Sequence, residues 1–180
     1  DDLPVVRDAE AAAAPDAPRI WDEAPGNRSF SWSKGTKDAT EQGLAKADHV
    51  VELTVRHPRV AISPIETRGC VAEFDARTGR YTLTTPSQGV VSLRGAMAEY
   101  LGTTEDKIRV VTEDVGGSFA VKIWPYPEQL IALVAARETG RPVKWINSRT
   151  DSFISDAMGR GRVDRAKLGL AKDGRFLAFR

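Results

Sequence analysis

The sequence predicts an α+β fold: a mixed sheet with two main helices packed on it, preceded by an extended linker. Three observations carry this. Several short segments rich in Val, Thr and Ile alternate in polarity as half-buried strands do. Two longer segments carry apolar residues at helical spacing. The elements follow one another as β-β-β-α-β-α-β-β-β, which mixes hairpins with crossover helices.

Residues 1–35 hold Pro4, Pro15, Pro18 and Pro25 among Ala and Asp. Proline fixes φ and removes a backbone donor, so this stretch reads as an extended connector without regular helix. It is expected to be the trailing part of a preceding domain, with Trp21, Phe30 and Trp32 tacking it to a neighbouring surface. The domain proper is expected over residues 36–180, truncated at its C-terminal end. A short helix is predicted over 38–47 and a strand over 50–57. Two further strands, 69–75 and 81–85, are joined by the turn Ala76-Arg77-Thr78-Gly79. A helix over 88–102 places Val90, Leu93, Met97 and Leu101 on one face and stops at Gly102. A strand over 107–111 leads to a glycine-rich turn at 115–119. Pro127 opens a second helix, whose apolar face is read as Leu130, Ile131, Val134 and Ala135, and Gly140 ends it. A strand over 143–147 follows, and then a hairpin of 163–170 and 176–180 around Lys172-Asp173-Gly174.

Composition excludes several function classes. The chain has 180 residues, 26 Lys and Arg against 25 Asp and Glu, and a formal net charge of +1, so nothing favours nucleic acid or an anionic membrane surface. One cysteine, Cys70, cannot form an intrachain disulfide, and with only His49 and His57 beside it no Cys/His zinc cluster can be assembled. No segment approaches the apolar length of a transmembrane helix, and the acidic N-terminus does not read as a signal peptide. A cytoplasmic protein is expected, with the periplasm left open.

One local pattern can meet a ligand. In Val115-Gly116-Gly117-Ser118-Phe119-Ala120-Val121-Lys122 two glycines allow positive φ and close approach of backbone to a bound group. Successive N–H groups in such a turn can cradle electronegative atoms. The spacing fits neither a phosphate loop nor a dinucleotide fingerprint, and a tight turn that only glycine can make remains the alternative. Gln88, between a strand and a helix, can offer its amide to a ligand or serve as a solvated cap. Glu66 beside Arg68 reads as a structural ion pair, Glu113 and Asp114 as solvated loop acids. Arg149, Asp151, Asp156, Arg160 and Arg162 read as surface or interdomain pairing.

Three stretches together resemble the large, molybdenum-cofactor-binding subunit of the xanthine dehydrogenase/aldehyde oxidase/carbon monoxide dehydrogenase family. They are Arg59 to Gly69, similar to the family's Pro-Met-Glu-Pro-Arg-Gly segment; Ser87-Gln88-Gly89; and Asp114 to Phe119, continuing through Lys122, Tyr126-Pro127-Glu128 and Gly140-Arg141-Pro142-Val143-Lys144-Trp145. The resemblance runs from about residue 45 to 180. It implies the first molybdopterin-binding domain of a large subunit that oxidises aldehydes or N-heterocycles with water-derived oxygen, or oxidises carbon monoxide. It implies a molybdenum–molybdopterin cofactor, in the cytosine dinucleotide form, with 2Fe-2S clusters and FAD on other domains or subunits. The implied partners are the rest of the large subunit, the iron–sulfur and FAD subunits and a small-molecule substrate, in an oligomer. Gln88 would hydrogen-bond an oxygen ligand of molybdenum, while Gly116, Gly117, Ser118, Phe119 and Ala120 would line the metal–dithiolene site through backbone N–H groups. No residue here ligates the metal directly, and the general base is expected beyond Arg180. The isolated chain is therefore expected to be inactive. Ala120 stands where the family usually has glycine, and Thr67 where it usually has proline. The alternative functions are a non-catalytic structural or partner-binding module that keeps the family fold, and a stand-alone small-ligand binder.

Overall fold

The computed structural model describes residues 4–6 and 8–180. The elements in chain order are α1 (Ala9–Ala12), α2 (Lys37–Ala45), β1 (His49–Val60), β2 (Gly69–Asp75), β3 (Arg80–Thr84), α3 (Val90–Leu101), β4 (Ile108–Val111), α4 (Pro127–Thr139), β5 (Val143–Ile146), α5 (Arg149–Ser155), β6 (Gly159–Leu170) and β7 (Phe176–Phe179). They form two compact units, one of residues up to Val60 with Arg160–Arg180, the other of Ala61–Gly159.

The second unit is the predicted mixed sheet with two helices. Its strands run β4-β3-β2-β5. β2 is antiparallel to β3 and β5, and β3 is parallel to β4. A parallel neighbour needs a crossover, and α3 supplies it between β3 and β4. Alternation decides which face is covered. Cys70, Ala72, Tyr81 and Leu83 point to one side and are buried in a single cluster with Leu93, Met97 and Ala98 of α3 and Ala132, Leu133 and Ala136 of α4. Both helices therefore cover the same face. Ala72 lies opposite Leu83 and Phe74 opposite Tyr81, whose rings stand 4.6 Å apart.

Helix ends follow the chemistry read from the sequence. Gly102 adopts φ 62° after α3, its N–H donating to Glu99 O and the Thr103 N–H to Ala98 O at 2.9 Å, so two terminal carbonyls are satisfied. Pro127 opens α4, and the Gln129 side chain accepts the Tyr126 N–H at 3.0 Å. The buried face of α4 differs from the one predicted. Ile131 is 65% exposed and Val90 of α3 is 37% exposed, whereas Gln129, Ala132, Leu133 and Ala136 are buried. The last set is spaced i, i+3, i+4, i+7. The bulkier Leu130 and Val134 are half-buried beside this face, and small Ala132 and Ala136 let the helix approach the sheet.

The remaining strands form a second, three-stranded sheet in the order β1-β6-β7, so the seven strands of the described residues divide between two sheets. α2 lies on β7. Their contact is so close that a Cβ at Gly43 would stand 2.8 Å from the Ala178 Cβ. The N-terminal segment departs from the expected extended linker. Asp8 caps α1 by accepting from the Glu10 and Ala11 N–H groups at 2.8 and 3.0 Å, a short turn that fits between the prolines. Asn27 then ties the segment together, donating to Ala12 O and Pro18 O and accepting from the Ile20 N–H. Trp21, Phe30 and Trp32 are exposed. No helix among the described residues is long and apolar enough to cross a membrane.

Truncating Leu93 to Ala should cost about 2–5 kcal/mol, since the side chain is enclosed in the core and its removal leaves a cavity. The same change at Ile131 should stay within about 0.5 kcal/mol, as for most exposed positions. Chemical denaturation of the two variants checks the assignment, and equal losses would mean that the α4 face is misread.

Candidate functional site

The glycine turn is seated on the segment before β2. Glu66 and Gly116 exchange two hydrogen bonds: the Glu66 N–H donates to Gly116 O at 3.0 Å, and the Gly116 N–H donates to Glu66 Oε2 at 2.8 Å. A Cβ at Gly116 would lie 2.5 Å from the Glu66 Cβ, and one at Gly117 would lie 3.2 Å from the Pro64 Cβ. Only glycine permits this approach, and Gly117 also has φ 94°. Arg149 steadies the underlying segment by donating to Pro64 O at 2.6 Å and Ile65 O at 2.7 Å.

Beneath the turn lies a charge pair. The Lys122 ammonium donates to Glu66 Oε2 at 2.6 Å, with the Lys122 side chain 1% exposed and that of Glu66 38%. An enclosed ammonium needs such a partner, because leaving it unpaired costs several kcal/mol. Burial works against the ionised Glu66 carboxylate, but the hydrogen bond from Lys122, that from the Gly116 N–H and the lysine charge together hold its pKa below the ordinary value.

Gln88 belongs to the same construction. Its N–H donates to Lys122 O at 3.2 Å, and its Oε1 accepts the Ser118 hydroxyl at 2.6 Å. Ser118 Oγ in turn accepts the Lys122 N–H at 3.1 Å. The structure thus brings Gln88 directly onto the turn of Gly116, Gly117, Ser118, Phe119 and Ala120. Phe119 and Ala120 adopt φ 50° and 71°, and Phe119 is 75% exposed. Left-handed residues near one another in a turn leave their N–H groups to form a concave donor surface. Among the described residues, the N–H groups of 117–120 donate to no protein acceptor. A neighbouring cleft of about 280 Å³ is lined by Glu66, Thr67, Cys70, Thr85, Glu113 and Asp114 among others, and not by Gln88 or the turn.

Two sequence expectations are corrected. Arg68 does not pair with Glu66. Its Nε donates to Asp156 Oδ1 at 2.6 Å and its Nη1 to Glu128 Oε2 at 3.1 Å, while the Glu66 carboxylate is taken by Lys122 and the Gly116 N–H. Asp156 is accordingly buried, its side chain 5% exposed, and is not a surface charge. The partners Glu66–Lys122 and Arg68–Asp156 are separated by 56 and 88 positions, and no local pattern announces them. α5 was also missed, although Ser148 and Asp151 form a capping pair that marks its start: the Ser148 hydroxyl oxygen accepts the Asp151 N–H at 3.0 Å.

The donor set is neutral. Backbone N–H groups and one carboxamide suit the oxygen and sulfur atoms around a metal–dithiolene centre. No cluster of three His, Cys, Asp or Glu able to hold a metal occurs among the described residues. An α+β unit presenting a glycine turn beside a tethered glutamine offers a fixed surface of uncharged donors. Residues 20–180 match the molybdopterin cofactor-binding domain family, and the chain belongs to it. It is 35% identical to the carbon monoxide dehydrogenase large chain of Hydrogenophaga pseudoflava, over 100% of this chain and 24% of that protein. It is 26% identical to the nicotine 6-hydroxylase large subunit of Paenarthrobacter nicotinovorans, over 78% of this chain and 17% of that one. Among solved structures it superposes on a reconstituted CO dehydrogenase from Oligotropha carboxidovorans with TM-score 0.88 and 34% identity, covering 99% of this chain and 24% of the other. The Desulfovibrio gigas aldehyde oxidoreductase gives TM-score 0.80 and 27% identity, covering 97% and 19%. The chain spans about a quarter of the length of the carbon monoxide dehydrogenase large chains it matches.

Two outcomes test this geometry. Ala120→Gly should stabilise the protein by about 0.5–1 kcal/mol, since relief of the left-handed penalty exceeds the entropy gained by the unfolded chain. Its denaturant midpoint should therefore rise. For Glu66 the sign follows from a folded pKa held below the unfolded one: its contribution is present above the unfolded carboxylate pKa of about 4.3 and is lost as pH falls through the lowered folded value. The stability difference between wild type and Glu66→Gln should be constant near neutral pH and shrink in acid. A difference that grows on acidification would contradict the pairing with Lys122.

Proposed function

We propose that this chain forms one wall of the molybdopterin site in the large subunit of a molybdenum hydroxylase. The observation that carries the reading is the Gln88–Ser118 hydrogen bond, which couples the glutamine to the glycine turn. Gln88 would donate to an oxygen ligand of the metal, and the N–H groups of Gly117, Ser118, Phe119 and Ala120 would face the metal–dithiolene atoms. Gly116 would hold the turn in place through Glu66. Fixed neutral donors of this kind stabilise developing negative charge without reorganising during the reaction. When bound, the cofactor supplies two-electron oxidation of the substrate with oxygen taken from water.

The reading extends to the whole protein. Residues 36–180 would be the first molybdopterin-binding domain and residues 1–35 its connection to a preceding one. The cofactor would be the cytosine dinucleotide form, with electrons leaving through 2Fe-2S clusters and FAD on partner subunits in a cytoplasmic oligomer. The substrate class is an aldehyde, an N-heterocycle or carbon monoxide, and the relatives named above span these. The Ala120 methyl group at φ 71° favours one competing reading, a fold retained for structure or partner binding with an impaired pocket.

The protein in its full natural length, purified from a host that makes the cofactor, should contain stoichiometric molybdenum. It should oxidise one of the three substrate classes with an artificial dye acceptor. Gln88→Ala should lower turnover by about 10- to 100-fold, the range for groups that orient a metal's ligands. Absence of molybdenum overturns the proposal, and molybdenum without turnover selects the non-catalytic reading.

A further inference from the structure

We infer that Ser118 is a positioning residue that fixes the Gln88 carboxamide in one of its two orientations, so that the site offers its ligand a donor and never an acceptor. This rests on the function proposed above and specifies how Gln88 performs it.

The argument is a proton count. A serine hydroxyl carries one proton and two lone pairs. In Ser118, which is buried, one lone pair is taken by the Lys122 N–H at 3.1 Å. The proton therefore points away from Lys122, and it goes to Gln88 Oε1 at 2.6 Å. A carboxamide whose oxygen is held in this way must turn its NH₂ group elsewhere. If the amide flipped, its NH₂ would face Oγ and the hydroxyl proton would lose its acceptor in a buried place, which is costly. The Gln88 main chain cannot drift to relieve this, because its own N–H is bound to Lys122 O. Lys122 is in turn anchored by its buried ammonium on Glu66. The contacts run from Glu66 through Lys122 and Ser118 to Gln88: the ion pair anchors Lys122 in place, and the donor sense is set from its main-chain N–H through the Ser118 hydroxyl to the Gln88 oxygen.

The consequence is selectivity for what sits opposite Gln88. An oxygen that bears negative charge or lone pairs is matched, and a protonated donor is refused. A glutamine tethered only by its backbone would accept either and would discriminate less.

The test is a double-mutant cycle in the full-length protein, with Ser118→Ala, Gln88→Ala and the double variant. Two readouts are taken: thermal unfolding of cofactor-free protein, and kcat with molybdenum content measured on each sample. Ser118→Ala is expected to lower kcat about five- to tenfold, the weight of one oriented hydrogen bond, with KM and molybdenum content unchanged. In the Gln88→Ala background it should lower kcat no further, because it acts only through the amide. The unfolding cycle should likewise show coupling, with the double variant less destabilised than the sum of the single ones. Additive effects in either cycle would overturn the inference, as would a Ser118→Ala loss that tracks lost molybdenum. If the wild type binds no molybdenum, the proposed function fails and the ligand-directed role of Ser118 fails with it. Molybdenum present with additive cycles removes the Ser118 role alone.

Discussion

The unit that carries the site is organised around one buried cation. The Arg68 guanidinium lies 3.6 Å from the Tyr126 ring centroid and 5.4 Å from that of Trp145. It donates to Asp156, Glu128 and the Ser155 hydroxyl. Burial opposes its charge, but the hydrogen bonds and charges of Glu128 and Asp156 outweigh that and raise its pKa further. A planar fork with five donors and two π faces can satisfy all of these neighbours at once, and a lysine could not. The partners come from the first turn of α4, the end of α5 and the strand β5. Removing the guanidinium would leave the buried Asp156 carboxylate and the partly buried Glu128 carboxylate without their cation, so the start of β2, the first turn of α4 and the end of α5 depend on it together.

The site inherits its position from that cluster. Arg68 O accepts the Asn147 N–H at 2.9 Å, which sets the register of β2 on β5. Two residues upstream, Glu66 carries the glycine turn and the Lys122 ammonium. At the far end of β3, Thr85 is held by both neighbours: its hydroxyl donates to Gly69 O at 2.8 Å and accepts from the Gln129 amide at 3.2 Å. The segment leading to Gln88 thus leaves the sheet from a fixed point. The Glu66 and Lys122 charges are paired with each other, and the turn itself offers uncharged N–H donors.

Legibility in the sequence followed the range of the interactions. Periodicity and punctuation are local, so β2, β3, α3, β4, α4 and β5 were placed to within a residue or two, and Gly102 and Gly140 ended the helices predicted to end there. The contacts that assemble the site are not local. Nothing near Glu66 says that its partner is Lys122, and nothing near Arg68 says that it is Asp156. The acid nearest Arg68 in sequence is Glu66, yet the fold brings Asp156 and Glu128 to Arg68 and Lys122 to Glu66. The chemistry of Gln88 and the turn left a ligand contact and a plain cap or tight turn both open, since a glutamine before a helix and a pair of glycines are each common, and the resemblance chose between them. The division of seven strands between two sheets was also beyond pattern reading, because alternation names the buried face of a strand and not its neighbours.

Cys70 lies in the core, 3% exposed, and burial, reinforced by the negative charge of Glu128, pushes its thiol up to about 11. Within these 180 residues the native thiol is therefore chemically silent near neutral pH. Ile65 is 96% exposed, while its carbonyl is one of the two gripped by Arg149, so its main chain holds the loop and its side chain holds nothing. A cysteine introduced at that one position would react with a spin label or fluorophore without competition from Cys70. It would sit beside the glycine turn on a backbone already clamped, a reporter post built into the rim of the site.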